Sequence, residues 1–65
     1  MVVYKYEIYQ EIMIDRIVGN KGKIIERITP ESLSMNLYRV EVLEGEYKDG
    51  KYWFVEHEIS SITEE

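Results

Sequence analysis

From Tyr4 to Asp15 the chain alternates, with Tyr4, Tyr6, Ile8, Ile12 and Ile14 on one parity and Lys5, Glu7, Tyr9, Glu11, Met13 and Asp15 on the other. A period of two marks a strand with one buried face. It predicts an extended N-terminal strand over 2–10, a bend where Gln10 interrupts the apolar parity, and entry into the body of the fold near Glu11. Gly19-Asn20-Lys21-Gly22 reads as a turn, because Gly and Asn tolerate positive φ. A strand follows over Lys23 to Ile28, and its doubled Ile24-Ile25 breaks alternation, as a bulge or a stretch covered on both faces would.

Thr29-Pro30-Glu31-Ser32 carries a helix start signal, but only Leu33-Ser34-Met35-Asn36 follows, so at most one turn is expected. Alternation returns from Leu37 to Leu43, with Tyr38, Val40 and Val42 on one face and Arg39 and Glu41 on the other. Glu44 to Gly50 is a reversal closed by the hairpin pair Asp49-Gly50. Lys51 to Glu56 is its partner strand, Glu56-His57-Glu58-Ile59 a single tight helical turn, and Ser60 to Thr63 a short last strand.

The chain has 65 residues and no Cys. A chain of this size buries only roughly 60% of the surface that it exposes unfolded. No disulfide is available to staple it. Its core must come from Ile, Val, six Tyr, one Trp and one Phe, residue types that suit strands. Five short strands and one excursion predict one all-β domain over 1–65. The economical form is a small five-stranded SH3-like barrel with one short helical turn near the C-terminus and a barrel core at about 11–63, since closure removes exposed strand edges. The apolar runs are too short to cross a bilayer and no secretory leader pattern opens the sequence, so a cytoplasmic location and no membrane partner are expected.

Two segments carry a resemblance. Gly19-Asn20-Lys21-Gly22-Lys23-Ile24-Ile25-Glu26 and Trp53-Phe54-Val55-Glu56-His57-Glu58-Ile59 resemble the YorP family, small SH3-like barrel proteins of Bacillus prophages that share a "G-x-K-G-K-I-I-E" turn and a late "Y-F-x-E-H-E-L" corner. The likeness covers roughly residues 16–62 and leaves out the N-terminal strand. It implies the barrel and a phage or prophage origin. The family has no established activity, so no catalytic or ligand residue follows from it.

The residues themselves point away from catalysis. His57 is the single imidazole, and its neighbours Glu56 and Glu58 do not converge on it along a strand; a structural hydrogen bond at the barrel corner is the expectation. Ser32, Ser34, Ser60 and Ser61 lack an activating motif, and the Gly19–Gly22 segment lacks the Lys-Ser/Thr ending of a phosphate loop. Neither an enzyme, a cofactor nor a metal site is expected.

Charge and aromatics then narrow the binding classes. The net charge is −5, but Arg16, Lys21, Lys23 and Arg27 make a small basic region while residues 41–65 are strongly acidic. An acidic flank repels DNA, and useful nucleic-acid affinity draws on roughly six or more phosphate contacts. An RNA- or DNA-binding, KOW-like use of Arg16, Lys21, Lys23 and Arg27 is therefore the second reading. The first is a protein-interaction module that meets a host or phage protein through Tyr47, Tyr52, Trp53, Phe54, Glu44 and Glu46. Alternation requires Trp53 and Phe54 to face opposite ways, so one parity of this hairpin is core. The carboxylates Glu41, Glu44, Glu46, Asp49, Glu56 and Glu58 also admit imitation of DNA, against the simpler role of keeping a small protein soluble. A weak homodimer through an exposed edge of the first strand is a further expectation, since Tyr9 and Met13 lie on its polar face.

Overall fold

The computed structural model describes residues 3–15 and 20–62. Five antiparallel strands make one sheet: β1 (Glu11–Ile14), β2 (Asn20–Ile28), β3 (Leu37–Val42), β4 (Lys51–Val55) and β5 (Ile59–Ser61), in the order β4-β3-β2-β1-β5. A single 3-10 turn, Glu56–Glu58, joins β4 to β5. The all-β architecture and the helical turn near the C-terminus match the sequence reading. The expected closed barrel does not: β4 and β5 are the two ends of the sheet, and among the described residues no ladder joins them. At three residues β5 is short, and it is spent on β1.

The inner face follows from the alternation. Ile12 and Ile14 of β1, Ile24 of β2, Tyr38, Val40 and Val42 of β3, Phe54 of β4 and Ile59 of β5 are all buried, and Tyr6 of the N-terminal segment joins them. The register between β2 and β3 jumps from Ile24↔Val40 to Glu26↔Arg39, so Ile25 is the extra residue of a bulge, at the doubled isoleucine. Beyond the bulge Arg27 stands opposite the buried Tyr38 and Ile28 opposite Leu37.

Two expectations about the first third of the chain need correction. Residues 3–10 are not a strand: they bend and turn, with Tyr9 at φ 71°, before β1 begins at Glu11. Side-chain parity survives because the segment is tied down individually. Tyr6 Oη donates to the Ile59 carbonyl (3.1 Å), Tyr9 N–H donates to the Ile24 carbonyl (2.6 Å), and Tyr4 and Ile8 pack on the core. The second correction is the Gly19–Gly22 turn. Gly19 and Arg16 lie outside the described residues, whereas Asn20, Lys21 and Gly22 already belong to β2, paired with Ile14, Met13 and Ile12. Gly22 is there for close approach, since a Cβ would run into Val40 Cγ1.

Candidate functional site

The loop from Leu43 to Gly50 closes on a bulge. Asp49 N–H donates to the Val42 carbonyl (2.8 Å), Val42 N–H donates to the Gly50 carbonyl (2.9 Å), and Asp49 takes the positive φ of 74° that this geometry demands. The Tyr52 ring lies over Gly50, 2.6 Å from where a Cβ would stand. Tyr52 and Tyr47 then meet edge to face, with ring centroids 6.5 Å apart. They are 44% and 47% exposed, and Glu44, Glu46, Lys48 and Asp49 of the connecting loop are exposed as well. Paired, half-exposed aromatics beside a mainly acidic loop are a surface on which protein contacts concentrate energy.

The six residues expected to act together are thus divided three ways. Phe54 is 6% exposed and belongs to the core. Its neighbour Trp53 stands on the opposite, outer face beside Arg39, 44% exposed. Tyr47, Tyr52, Glu44 and Glu46 stay together at the hairpin end. Phe54 is removed from the candidate contact surface because strand alternation delivers it inward, opposite Tyr38.

The basic residues do not gather. Arg27 faces inward: Nη1 donates to the Tyr6 carbonyl (2.7 Å), the guanidinium sits 4.5 Å over the Tyr4 ring, and Glu7 lies 4.0 Å away. Lys23 stands between Glu11 of β1 and Glu41 of β3, and Glu41 in turn faces Lys51 of β4. Charges therefore alternate in a row across the outer face, an arrangement that stabilises cross-strand neighbours. Lys21 sits opposite Met13 in the next row.

Sequence reasoning weighed His57 and counted Glu56 among the surface carboxylates, and the structure corrects both. Among the described residues His57 makes no hydrogen bond; it is exposed and lines a cleft of about 370 Å³ with Lys5, Ser34, Met35, Asn36 and Glu56. Glu56 ties the corner instead. Its Oε2 accepts from Tyr38 Oη (2.5 Å), Asn36 Nδ2 (2.9 Å) and Lys5 N–H (3.1 Å). Asn36 also donates to the Val3 carbonyl (2.8 Å) and accepts from Thr29 Oγ1 (2.7 Å), so the expected helix cap Thr29 serves this network. Tyr38 Oη accepts from the Lys5 and Tyr6 amides at 3.0 and 3.3 Å. Burial alone would raise the Glu56 pKa, but the donors from Asn36, Tyr38 and Lys5 prevail and hold it below its ordinary value. Burial, and then the bond to Glu56, push Tyr38 up to about 12. A carboxylate oxygen that accepts from three donors acts as a structural fastener. No signal in the sequence marks it, because its partners lie 18, 20 and 51 positions away. Glu58 closes the same turn, accepting from the Val55 amide (3.1 Å).

Among the described residues no group of three or more His, Cys, Asp or Glu side chains could hold a metal ion, and no helix is long and apolar enough to cross a membrane. No protein-family model, no curated protein and no solved structure matches the chain.

Proposed function

We propose that this chain is a non-enzymatic interaction module that binds a host or phage protein through the end of the β3–β4 hairpin. The observation that carries it is the Tyr47–Tyr52 pair, half exposed, with Tyr47 on a loop that also exposes Glu44, Glu46 and Asp49 beside a lone Lys48. Together these offer the aromatic anchors and polar rim from which protein interfaces are built. The acidic rim selects a basic surface on the partner and speeds encounter with it. A nucleic-acid-mimicking role is the limiting case of the same electrostatics.

The SH3-like assignment and the YorP kinship belong to this proposal. Their support is the meander order of the sheet, with a 3-10 turn between its last two strands, together with the two sequence segments quoted above. A phage or prophage accessory protein working in the host cytoplasm fits that kinship. The alternative, a KOW-like RNA- or DNA-binding module, has less in its favour. Arg27 is committed to Tyr6 and Tyr4, and Lys23 is flanked by two carboxylates.

Affinity capture from host lysate with the wild-type chain and with a Tyr47→Ala/Tyr52→Ala variant tests the reading. The expected result is a partner retained by the wild type and lost by the variant, and lost again with Glu44→Lys/Glu46→Lys. Recovery of the same partner by both variants overturns it. A salt-sensitive shift of single-stranded RNA that Lys21→Glu/Lys23→Glu abolishes would favour the alternative.

A further inference from the structure

We infer that this chain exchanges its N-terminal segment with a second copy: the turn at Glu7 to Gln10 straightens, and residues 3–8 of each copy fill the inner face of the other. The hairpin end is left as it is, and the inference does not rest on the function proposed above.

The segment is separable. Residues 3–8 belong to no strand, and their backbone is held by single side chains from far along the sequence. Asn36 donates to the Val3 carbonyl, Tyr38 and Glu56 accept from the Lys5 amide, Tyr38 also accepts from the Tyr6 amide, and Arg27 donates to the Tyr6 carbonyl. Tyr6 is 1% exposed, and its hydroxyl donates to the Ile59 carbonyl. The same segment from another copy meets the same partners, so exchange sacrifices none of these contacts.

The strain lies in the hinge. Gln10 N–H donates to the Glu7 carbonyl (3.1 Å), closing a β-turn with Tyr9 at its third position. Tyr9 and Gln10 then bulge together against Ile24: Tyr9 N–H donates to the Ile24 carbonyl, and Ile24 N–H donates to the Gln10 carbonyl (3.0 Å). Turn and bulge both place Tyr9 at positive φ, a position that Gly or Asn fills by preference. The Leu43–Gly50 loop repeats this bulge against Val42, but its left-handed residue is Asp49, whose short polar side chain tolerates the conformation. Tyr9 is bulky and 73% exposed, so no packing compensates its backbone.

Straightening relieves Tyr9 and realises the pattern written in the sequence. Tyr4, Tyr6, Ile8, Ile12 and Ile14 share one parity, as a single strand continuous with β1 demands. In the closed form the segment doubles back, so that the Tyr6 hydroxyl stands at Ile59, which pairs with Ile14 at the far end of β1. In the straight form Tyr6 lies about 26 Å along the strand from Ile14, beyond the inner face of its own sheet. A second copy with its own segment withdrawn offers Tyr6 the identical site, and reciprocal exchange closes as a two-fold dimer. Two chains of net −5 repel one another, but that repulsion is screened beyond about 8 Å at physiological salt.

The full chain, unfolded in urea and refolded at about 10 µM and at about 1 mM in about 0.15 M salt, tests the exchange by light scattering. Monomer is expected at the lower concentration and dimer at the higher. In dimers that mix isotope-labelled and unlabelled copies, filtered NOE spectra should show the Tyr6 ring of one copy against Ile59 of the other. Tyr9→Gly should weaken dimerisation by about thirtyfold, because each dimer releases two strained hinges. Tyr9→Val, β-branched and better suited to a strand than to left-handed φ, should strengthen it severalfold. A monomer at both concentrations overturns the inference. So does a dimer whose Tyr6–Ile59 contacts stay within each copy, or one that Tyr9→Gly leaves unweakened.

Discussion

Two acidic regions of this small protein use the same side chain in opposite ways. At the 3-10 turn, Glu56 turns inward and accepts from three donors drawn from the N-terminal segment, the start of β3 and Tyr38. At the hairpin end, Glu44, Glu46 and Asp49 face solvent near an aromatic pair. The first carboxylate holds segments together that are distant in sequence; the others cost the fold little and shape what can approach it. Composition alone does not separate these roles. Only the count of donors around each carboxylate does.

The contrast breaks most visibly at Glu56. Glu56→Ala should destabilise the chain by about 2 kcal/mol or more, read by urea denaturation, because it takes the acceptor from the Tyr38 hydroxyl and one of two acceptors from the Asn36 amide. Tyr38→Phe keeps the ring packing but removes the acceptor for the Lys5 and Tyr6 amides, and about 1–2 kcal/mol should be lost. Arg27→Met should cost about 1 kcal/mol by releasing the Tyr6 carbonyl and the Tyr4 ring. Glu44→Gln/Glu46→Gln should stay within about 0.5 kcal/mol of wild type while weakening partner capture.

Acid sharpens the same comparison. With the folded pKa of Glu56 depressed, its contribution is complete above the ordinary carboxylate value of 4.5 and is lost as pH falls through the folded value. Tyr38 acts at the other end. Its folded pKa is raised from 10.0 to about 12, so stability falls as pH climbs from 10 towards 12. A stability–pH curve should therefore show an acid limb that Glu56→Gln flattens and that Glu44→Gln/Glu46→Gln leaves in place.

Alternation made β3, β4 and the 3-10 turn legible before any coordinates, and the Ile24-Ile25 doublet announced the bulge in β2. Two signals misled. Gly22 looked like turn punctuation, yet its missing side chain makes room for Val40 across the sheet. The alternation of residues 4–10 looked like a strand, but those side chains are placed by separate anchors to Ile24, Ile59 and Tyr38. The dimer route expected from the first strand fails for a related reason. β1 lies between β2 and β5 and has no free edge over Ile12–Ile14. Within the candidate site, alternation separated Trp53 from Phe54 but could not say which of them was inside. That choice is made by the register with Tyr38 and Arg39.

The bulge at Ile25 has a consequence beyond local twist. By adding one position to β2 it reverses the phase of everything that follows, turning Glu26 to the outside and Arg27 toward the tyrosines. Were Ile25 paired regularly instead of bulged, unbroken alternation would turn Arg27 outward and Glu26 inward. One irregular position in β2 thus sets which charge meets Tyr6 and Tyr4.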